Sequence, residues 1–185
     1  MQDYKININY AKALFLLAGE TQEQDSVAKD MRLVSQVCHE NRILNVVFNN
    51  PNVKTNQKIG IITDIFASHV CQTTMTFLSF VIRKNRTINL KDISNAYLDL
   101  YRDSRNIVLS EFTTALPADE ETQAIAKQII ADHTKKEVEL VAKTDPDIIG
   151  GFSIKFDNTM YDARISTSLA KLRRAFEENT YDAKL

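Results

Sequence analysis

Apolar residues in the first half of the chain recur at steps of three and four, the spacing that places them on one face of an α-helix. The first stripe contains Tyr10, Ala13, Leu14 and Leu17, and we expect Gly19 to end this helix. Because the connections are short, the pattern as a whole predicts a compact antiparallel bundle. Comparable stripes predict five further helices, at residues 27–38, 42–48, 59–66, 73–84 and 93–101.

The pattern changes after Arg105, where apolar and polar residues alternate as they do in a β-strand. The segment NIVLSEFTTAL predicts the first strand. Alternation returns at residues 138–142 and 152–156, and a short segment at 160–161 completes four predicted strands.

Two helices accompany these strands. The acidic residues 119–121 suit the positive end of a helix dipole, and we expect the helix that they open to bury Ile125, Ile129 and Ile130. A final helix follows the fourth strand. We expect its apolar stripe to be internal packing, and the stripe consists of Ile165, Leu169, Leu172 and Phe176.

These patterns predict a mostly α fold with two domains. A six-helix bundle occupies residues 1–105, and a small α+β domain with the order β-α-β-β-β-α occupies residues 106–185. Hydrophobic residues make up 44% of the 185 positions and charged residues 25%, which suits a folded chain with a packed core.

The charge balance argues against nucleic acid as a partner. The chain has 23 basic and 24 acidic residues, whereas a nucleic-acid-binding protein usually carries a clear basic excess. The predicted bundle has 13 basic residues against 10 acidic ones, and the second domain has 10 against 14. This mild asymmetry fits two domains that bind different partners.

The apolar runs of the chain fall far short of the roughly 18 residues of a membrane span, and the first residues lack the apolar core of a secretion signal. We therefore expect no direct membrane insertion, so any role at a membrane depends on partners. Cys38 and Cys71 belong to no CxxC motif, which favours reduced thiols over a metal site.

Gly150 and Gly151 stand together and raise the question of phosphate binding. A phosphate loop places its glycines between a strand and a helix, whereas this pair precedes a predicted strand and lacks the GxGxxG and GK[ST] patterns. We therefore interpret the pair as a structural turn, in which glycine adopts backbone angles that other residues avoid.

Residues suited to catalysis are not grouped in the sequence. The three histidines lie far apart, and the aspartates between positions 145 and 162 lack the spacing of a calcium loop. We expect no metal, no cofactor and no enzymatic activity, and the function that remains is binding.

Three segments, taken in order, carry a resemblance to a known family. NYAKALFLLA is similar to its opening helix, and FLSFVIRKNRTINLKDISNAYLDLYRD is similar to its fifth and sixth helices with the break between them. LVAKTDPDIIGGFSIKFDNTMYDARISTSLAKL matches its strand, glycine pair and final helix led by an aspartate. From about Tyr4 to Phe176, the chain resembles the delta subunit of the bacterial F-type ATP synthase, whose mitochondrial relative is the oligomycin-sensitivity-conferring protein.

The resemblance implies a stator subunit that catalyses no reaction itself. It implies that the first domain binds the N-terminal helix of an alpha subunit in a groove between its first and fifth helices, and that the second domain binds the C-terminal helices of the b subunits. The chain then couples ion-driven rotation to ATP synthesis at the cytoplasmic face of the bacterial inner membrane. By this resemblance the groove residues are Tyr10, Ala13, Leu14 and Leu17 in the first helix and Phe77, Val81 and Lys84 in the fifth.

Helical spacing alone leaves open whether these side chains line a groove or pack in the bundle core. Tyr10, Leu14 and Val81 fit either position, whereas a small residue framed by larger apolar ones, as Ala13 is, suits the close approach of a partner helix. A second interpretation of the chain is a helical RNA-binding protein of the transcription antitermination type. That function requires a concentrated basic face, and the charge excess of the predicted bundle is small.

Two positions depart from the family pattern. After Asn85 the family usually has a glycine, where this chain has Arg86. Where the family commonly has Asp-x-Ser before the final helix, this chain has Asp162 followed by Ala163 and Arg164. A capping role at the final helix therefore rests on Asp162 alone.

Overall fold

A computed structural model describes residues 2–50, 52–146, 148–156 and 159–178. The chain forms two compact units, residues 1–104 and residues 105–185. The first unit is helical, and the second combines two helices with a four-stranded sheet, which confirms the predicted fold class.

Six α-helices make up the described part of the first unit. A single 3-10 turn, Thr87–Asn89, leads into the last of them. The helices are α1 (Gln2–Glu20), α2 (Gln24–Glu40), α3 (Arg42–Asn49), α4 (Thr55–Phe66), α5 (Gln72–Arg83) and α6 (Leu90–Arg105).

Helix α1 buries a stripe that lies one position away from the predicted one. The buried side chains are Asn7, Ala11, Leu14 and Ala18, at steps of four, three and four. Two of them are alanines, which let a neighbouring helix approach closely. Of the larger apolar residues in the predicted stripe, only Leu14 belongs to the buried one, and Tyr10 and Leu17 flank it.

Helix α1 also ends later than Gly19, which lies inside its last turn. Gln22 adopts the left-handed conformation with φ of 56°, and the N–H of Glu23 donates to the carbonyl of Ala18 at 2.9 Å. This backbone hydrogen bond satisfies a carbonyl that the helix end leaves free, so a non-glycine residue makes the stop.

The core of the first unit is mostly apolar and is buried from solvent, and its largest fully buried side chain is Tyr97. Burial raises the pKa of the Tyr97 hydroxyl well above its usual range, and burial raises the pKa of the Cys38 thiol to about 11. Both groups are therefore neutral at ordinary pH. The other large side chains that are fully buried in this unit are Leu14, Met31, Ile62, Phe66, Leu78, Ile82, Leu90 and Ile93.

Asp30 is a buried carboxylate that joins α2 to the beginning of α5. Its Oδ2 accepts hydrogen bonds from the backbone N–H of Cys71 and from the hydroxyl of Thr74, each at 2.8 Å. These donors lie at the start of a helix, where backbone N–H groups lack partners inside the helix and where the dipole favours a negative charge. Asp30 therefore fixes α5 against α2.

At the C-terminal end of α3, Lys58 is a buried cation, as Asp30 is a buried anion at the start of α5. Its buried ammonium donates to the carbonyl of Phe48 at 2.7 Å. A cation at a helix C-terminus meets both the free carbonyls and the negative end of the dipole. The short helix α3 is thereby tied to α4.

The second unit has a sheet with the strand order β2-β1-β3-β4. Strand β1 pairs in parallel with β2 and antiparallel with β3, and β3 pairs antiparallel with β4. The elements are β1 (Ile107–Thr114), α7 (Glu120–Thr134), β2 (Glu137–Thr144), β3 (Phe152–Phe156), β4 (Thr159–Asp162) and α8 (Ile165–Glu178).

Helix α7 connects the two parallel strands and covers one face of the sheet. Ile130 and Ala126 of α7 pack in one core with Phe112 and Ile154 of the sheet. The expectation that α7 buries three isoleucines is wrong for two of them, because Ile125 and Ile129 are exposed. Only one side of α7 packs against the sheet, and Ile125 and Ile129 lie on the remaining, exposed surface of the helix.

Gly150 and Gly151 lie immediately before β3, so they open a strand and not a helix. Gly151 has a φ of +84°, and a Cβ added there would lie 2.3 Å from the carbonyl oxygen of Ala163. The N–H of Ile165 donates to the carbonyl of Gly150 at 3.0 Å. The pair is thus a turn at which the chain passes close to the beginning of α8.

Asp162 organises the residues that lead into α8. Its carboxylate accepts the backbone N–H of Arg164 at 3.0 Å, the guanidinium of the same residue at 2.6 Å and the hydroxyl of Thr167 at 3.0 Å. Hydrogen bonds from Arg164 hold the pKa of the Asp162 carboxyl well below its usual range. This carboxylate therefore remains charged over the physiological pH range.

Asp30→Ala leaves the N–H of Cys71 and the hydroxyl of Thr74 without their acceptor. We expect the free energy of unfolding of the first unit to fall by about 2 kcal/mol. The buried Cys38 thiol reports this loss, because its alkylation requires opening of the unit. We expect roughly thirtyfold faster alkylation of Cys38, measured by peptide mass spectrometry under native conditions. Asp64→Ala, at an exposed position of α4, is the control, and equal Cys38 rates in the two variants would contradict the role given to Asp30.

Gly151→Ala places a methyl group against backbone at a positive φ. We expect it to destabilise the second unit by about 2 kcal/mol. Gly150→Ala is the matched control, because its added Cβ approaches only the side-chain end of Ile165, at 2.8 Å, which is free to rotate. Amide hydrogen exchange in β3 measures the difference, and equal protection in both variants would show that the turn does not need its glycine.

Candidate partner-binding faces

Helices α1 and α5 lie side by side in the first unit. The rings of Tyr10 and Phe80 are 6.0 Å apart between centroids, in a tilted arrangement. Just beyond the end of α1, Glu23 accepts a hydrogen bond from the hydroxyl of Thr73 at 2.7 Å. Because a later position near α1 meets an earlier position of α5, the two helices run antiparallel.

Four of the seven predicted groove residues reach the surface. Ala13 and Lys84 are exposed, Leu17 is 41% exposed, and Tyr10 is half-buried. Ala13 is the smallest of the four, and it lies between Tyr10 and Leu17 along the helix. The surface is therefore lowest at Ala13, which suits the close approach of another helix.

The other three predicted groove residues are in the core. Leu14, Phe77 and Val81 are buried against the rest of the bundle. Their side chains point from α1 and α5 towards the other helices, so a partner does not touch them unless the bundle opens. Their burial agrees with the core position that helical spacing left open for Leu14 and Val81, and their part in partner binding stays a prediction.

Phe80 is a further surface residue of this region, outside the predicted groove set. It is 46% exposed, and the Nζ of Lys84 lies 5.6 Å from its ring centroid, within cation–π range. The four-residue step from Phe80 to Lys84 places both on one face of α5, and that spacing is the signal that would have found it. We call the surface of Tyr10, Ala13, Leu17, Phe80 and Lys84 the α1–α5 face.

The α1–α5 face is apolar, shallow and bordered by one cation. Its exposed side chains offer a partner apolar contact and one ammonium group, that of Lys84 beside Phe80. Within the described ranges, no three or more His, Cys, Asp or Glu residues come together as a metal site would require. None of the described helices combines the length and the apolar character that crossing a membrane demands.

A second apolar surface lies on α8 in the other unit. The stripe predicted to be internal packing is exposed along its whole length, and Phe176 at its end is 73% exposed. The periodicity of α8 is as predicted, but no described element of this unit covers its apolar side. We call the surface of Ile165, Leu169, Leu172 and Phe176 the α8 stripe.

Comparisons with known proteins match nearly the whole chain. A family profile described as ATP synthase delta (OSCP) subunit matches residues 6–176. The chain is similar to ATP synthase subunit delta of Cytophaga hutchinsonii, with 34% identity over 96% of this chain and 97% of the relative. It is also similar to ATP synthase subunit delta of Rickettsia bellii, with 31% identity over 94% of this chain and 93% of the relative.

The fold has a counterpart among solved structures. A chain in the cryo-EM structure of the Toxoplasma gondii mitochondrial ATP synthase hexamer superposes with a TM-score of 0.72 and 15% sequence identity. The superposition covers 94% of this chain and 98% of the other. At this identity the likeness shows a shared fold.

Proposed function

The chain belongs to the ATP synthase delta (OSCP) subunit family, as its three sequence segments indicate, and we propose that it is a non-catalytic stator subunit of an F-type ATP synthase. In this role it links the catalytic head to the peripheral stalk. The link keeps the head from turning with the rotor, so that ion-driven rotation is coupled to ATP synthesis. The observation that carries the proposal is the family match over residues 6–176, and the two uncovered apolar surfaces, one on each unit, support it.

We assign the α1–α5 face to the N-terminal helix of an alpha subunit. An amphipathic helix laid on this face covers Leu17 and Phe80 and places a residue against the low point at Ala13. Removal of these apolar side chains from water supplies the driving force. Lys84, beside Phe80, then selects a partner residue with a carboxylate or carbonyl oxygen at that edge.

We assign the α8 stripe to the C-terminal helices of the b subunits. Exposed apolar side chains at steps of three and four along a helix are the pattern of one half of a helix–helix contact. The hydrogen bonds of Asp162 and the turn at Gly151 hold the beginning of α8 against the sheet. A partner bound to α8 is thereby connected to the strands of this unit.

The assignment to a stator also gives the location of the chain. Partners on both units hold it at the cytoplasmic face of the bacterial inner membrane, as a peripheral component of the complex. No nucleic acid is required for this function, and the family match favours it over the antitermination alternative, which rests on helix content alone.

Ala13→Asp places a charge at the centre of the α1–α5 face. We expect the fold to be unchanged, because Ala13 is exposed, and we expect the affinity for an alpha-subunit N-terminal peptide to fall at least roughly thirtyfold, by about 2 kcal/mol. Titration calorimetry with the full chain measures this change.

Ala124→Asp makes the same exchange at an exposed alanine of α7 in the other unit, and we expect it to leave this affinity unaltered. If Ala13→Asp bound the peptide as well as the control does, α1 would not belong to the binding site.

Leu172→Asp tests the α8 stripe in the same way. Because Leu172 is exposed, we expect the variant to keep the amide protection of the sheet while binding of a soluble b-subunit fragment weakens at least tenfold. Surface plasmon resonance gives the affinity. Loss of sheet protection in Leu172→Asp would show that the stripe packs internally, as the sequence pattern predicted.

A further inference from the structure

Helix α1 borders a second groove, on the side away from the α1–α5 face. This groove lies between α1 and α6 and has a volume of about 600 Å³. We call it the α1–α6 cleft. Its apolar floor consists of Ile8, Ala96 and Leu100. Three aspartates of α6 form an acidic rim, namely Asp92, Asp99 and Asp103, and Lys12 of α1 is the one basic residue among the described lining side chains.

The cleft is long and straight. Positions 92, 96, 99, 100 and 103 follow one face of α6 at helical steps, and positions 4, 8 and 12 do the same on α1. At 1.5 Å per residue, the rim from Asp92 to Asp103 extends over about 17 Å. That length equals about three turns of an α-helix.

The carboxylates of the rim are spread along the cleft, and most of them form no hydrogen bond or ion pair with a described residue. Asp99 pairs with Arg102 at 2.9 Å, whereas no described residue forms a hydrogen bond or an ion pair with Asp92 or Asp103. The rim carboxylates belong to no group of described residues arranged to hold a metal ion. An extended partner with several cations therefore matches this rim better than a single ion.

The C-terminal part of the acidic rim is unfavourable to the helix that carries it. Asp99 and Asp103 are four residues apart on one helix, where like charges repel. Asp103 is also in the last turn of α6, at the negative end of the helix dipole. The rim therefore places negative charge at Asp103 where helix electrostatics opposes it, as a binding surface for a cationic partner would, whereas Asp92 lies in the first turn of α6, where the dipole favours it.

We propose that the α1–α6 cleft binds a basic amphipathic helix of another protein, about three turns long. Its apolar residues lie on Ile8, Ala96 and Leu100, and its lysines or arginines face the rim carboxylates. This site is distinct from the α1–α5 face, because positions 4, 8 and 12 point away from positions 10, 13 and 17 at 100° per residue. Helix α1 then serves two partners, one on each flank.

The experiment uses the full chain and a designed 14-residue helical peptide, with leucines at steps of three and four and lysines on both flanks. We expect this peptide to shift the backbone amide NMR signals of residues 4–12 and 92–103. We expect its affinity to fall as salt is added. A peptide with glutamates in place of the lysines should bind at least tenfold more weakly. Equal binding of the two peptides, or no binding of either, would overturn the proposal.

Asp92→Asn with Asp103→Asn removes two rim charges from opposite ends of α6. Because one aspartate is favourable and the other unfavourable to the helix dipole, we expect an unchanged melting temperature together with an affinity for the lysine peptide about tenfold lower. Asp64→Asn with Asp132→Asn removes the same charge at exposed positions elsewhere and should bind like the unmodified chain. Equal affinities of the two double variants would contradict the cleft assignment.

Two cross-tests separate this proposal from the function assigned to the α1–α5 face. Ala13→Asp should keep its affinity for the lysine peptide, and the Asp92/Asp103 variant should keep its affinity for the alpha-subunit peptide. If Ala13→Asp lost the lysine peptide, that peptide would occupy the α1–α5 face, and the cleft proposal would fail while the stator function stood.

Discussion

The narrow buried stripe of α1 is the constraint on which the surfaces of the first unit depend. Asn7, Ala11, Leu14 and Ala18 pack the helix against the bundle, and because two of them are alanines, α1 approaches its neighbours closely along this stripe. Both flanks of the helix remain accessible. One flank meets α5 at the pair of Tyr10 and Phe80, and the other borders the α1–α6 cleft.

In the second unit, the main constraint is that an exposed helix, α8, is held in a defined place. Helix α8 has no apolar cover among the described residues, yet its first turn is fixed by the hydrogen bonds of Asp162. The tight approach of Gly151 to Ala163 brings the same segment against the start of β3. The stator role that we propose requires the chain to transmit force, and anchoring of this kind would connect a partner on α8 to the sheet.

Periodicity was enough to predict the six helices, the change to strands after Arg105 and the turn at the glycine pair. It did not identify the buried side of α1, because alanine contributes little to an apolar pattern while Tyr10 and Leu17 dominate it. It also misjudged α8, since an amphipathic stripe shows that something covers the helix but not whether the cover belongs to the same chain. The hydrogen bonds of Asp30 and Lys58 join positions distant in sequence, which no local pattern reveals.

The most direct measurement of the central claim is methyl NMR of the full chain during titration with an alpha-subunit N-terminal peptide. We expect the methyl signals of Ala13 and Leu17 to shift strongly, because these groups are on the exposed flank of α1. The methyls of Leu14 and Val81, which lie beneath that flank in the core, should shift much less. Saturable binding that left Ala13 and Leu17 unchanged while it shifted methyls of α3 or α4 would contradict the account.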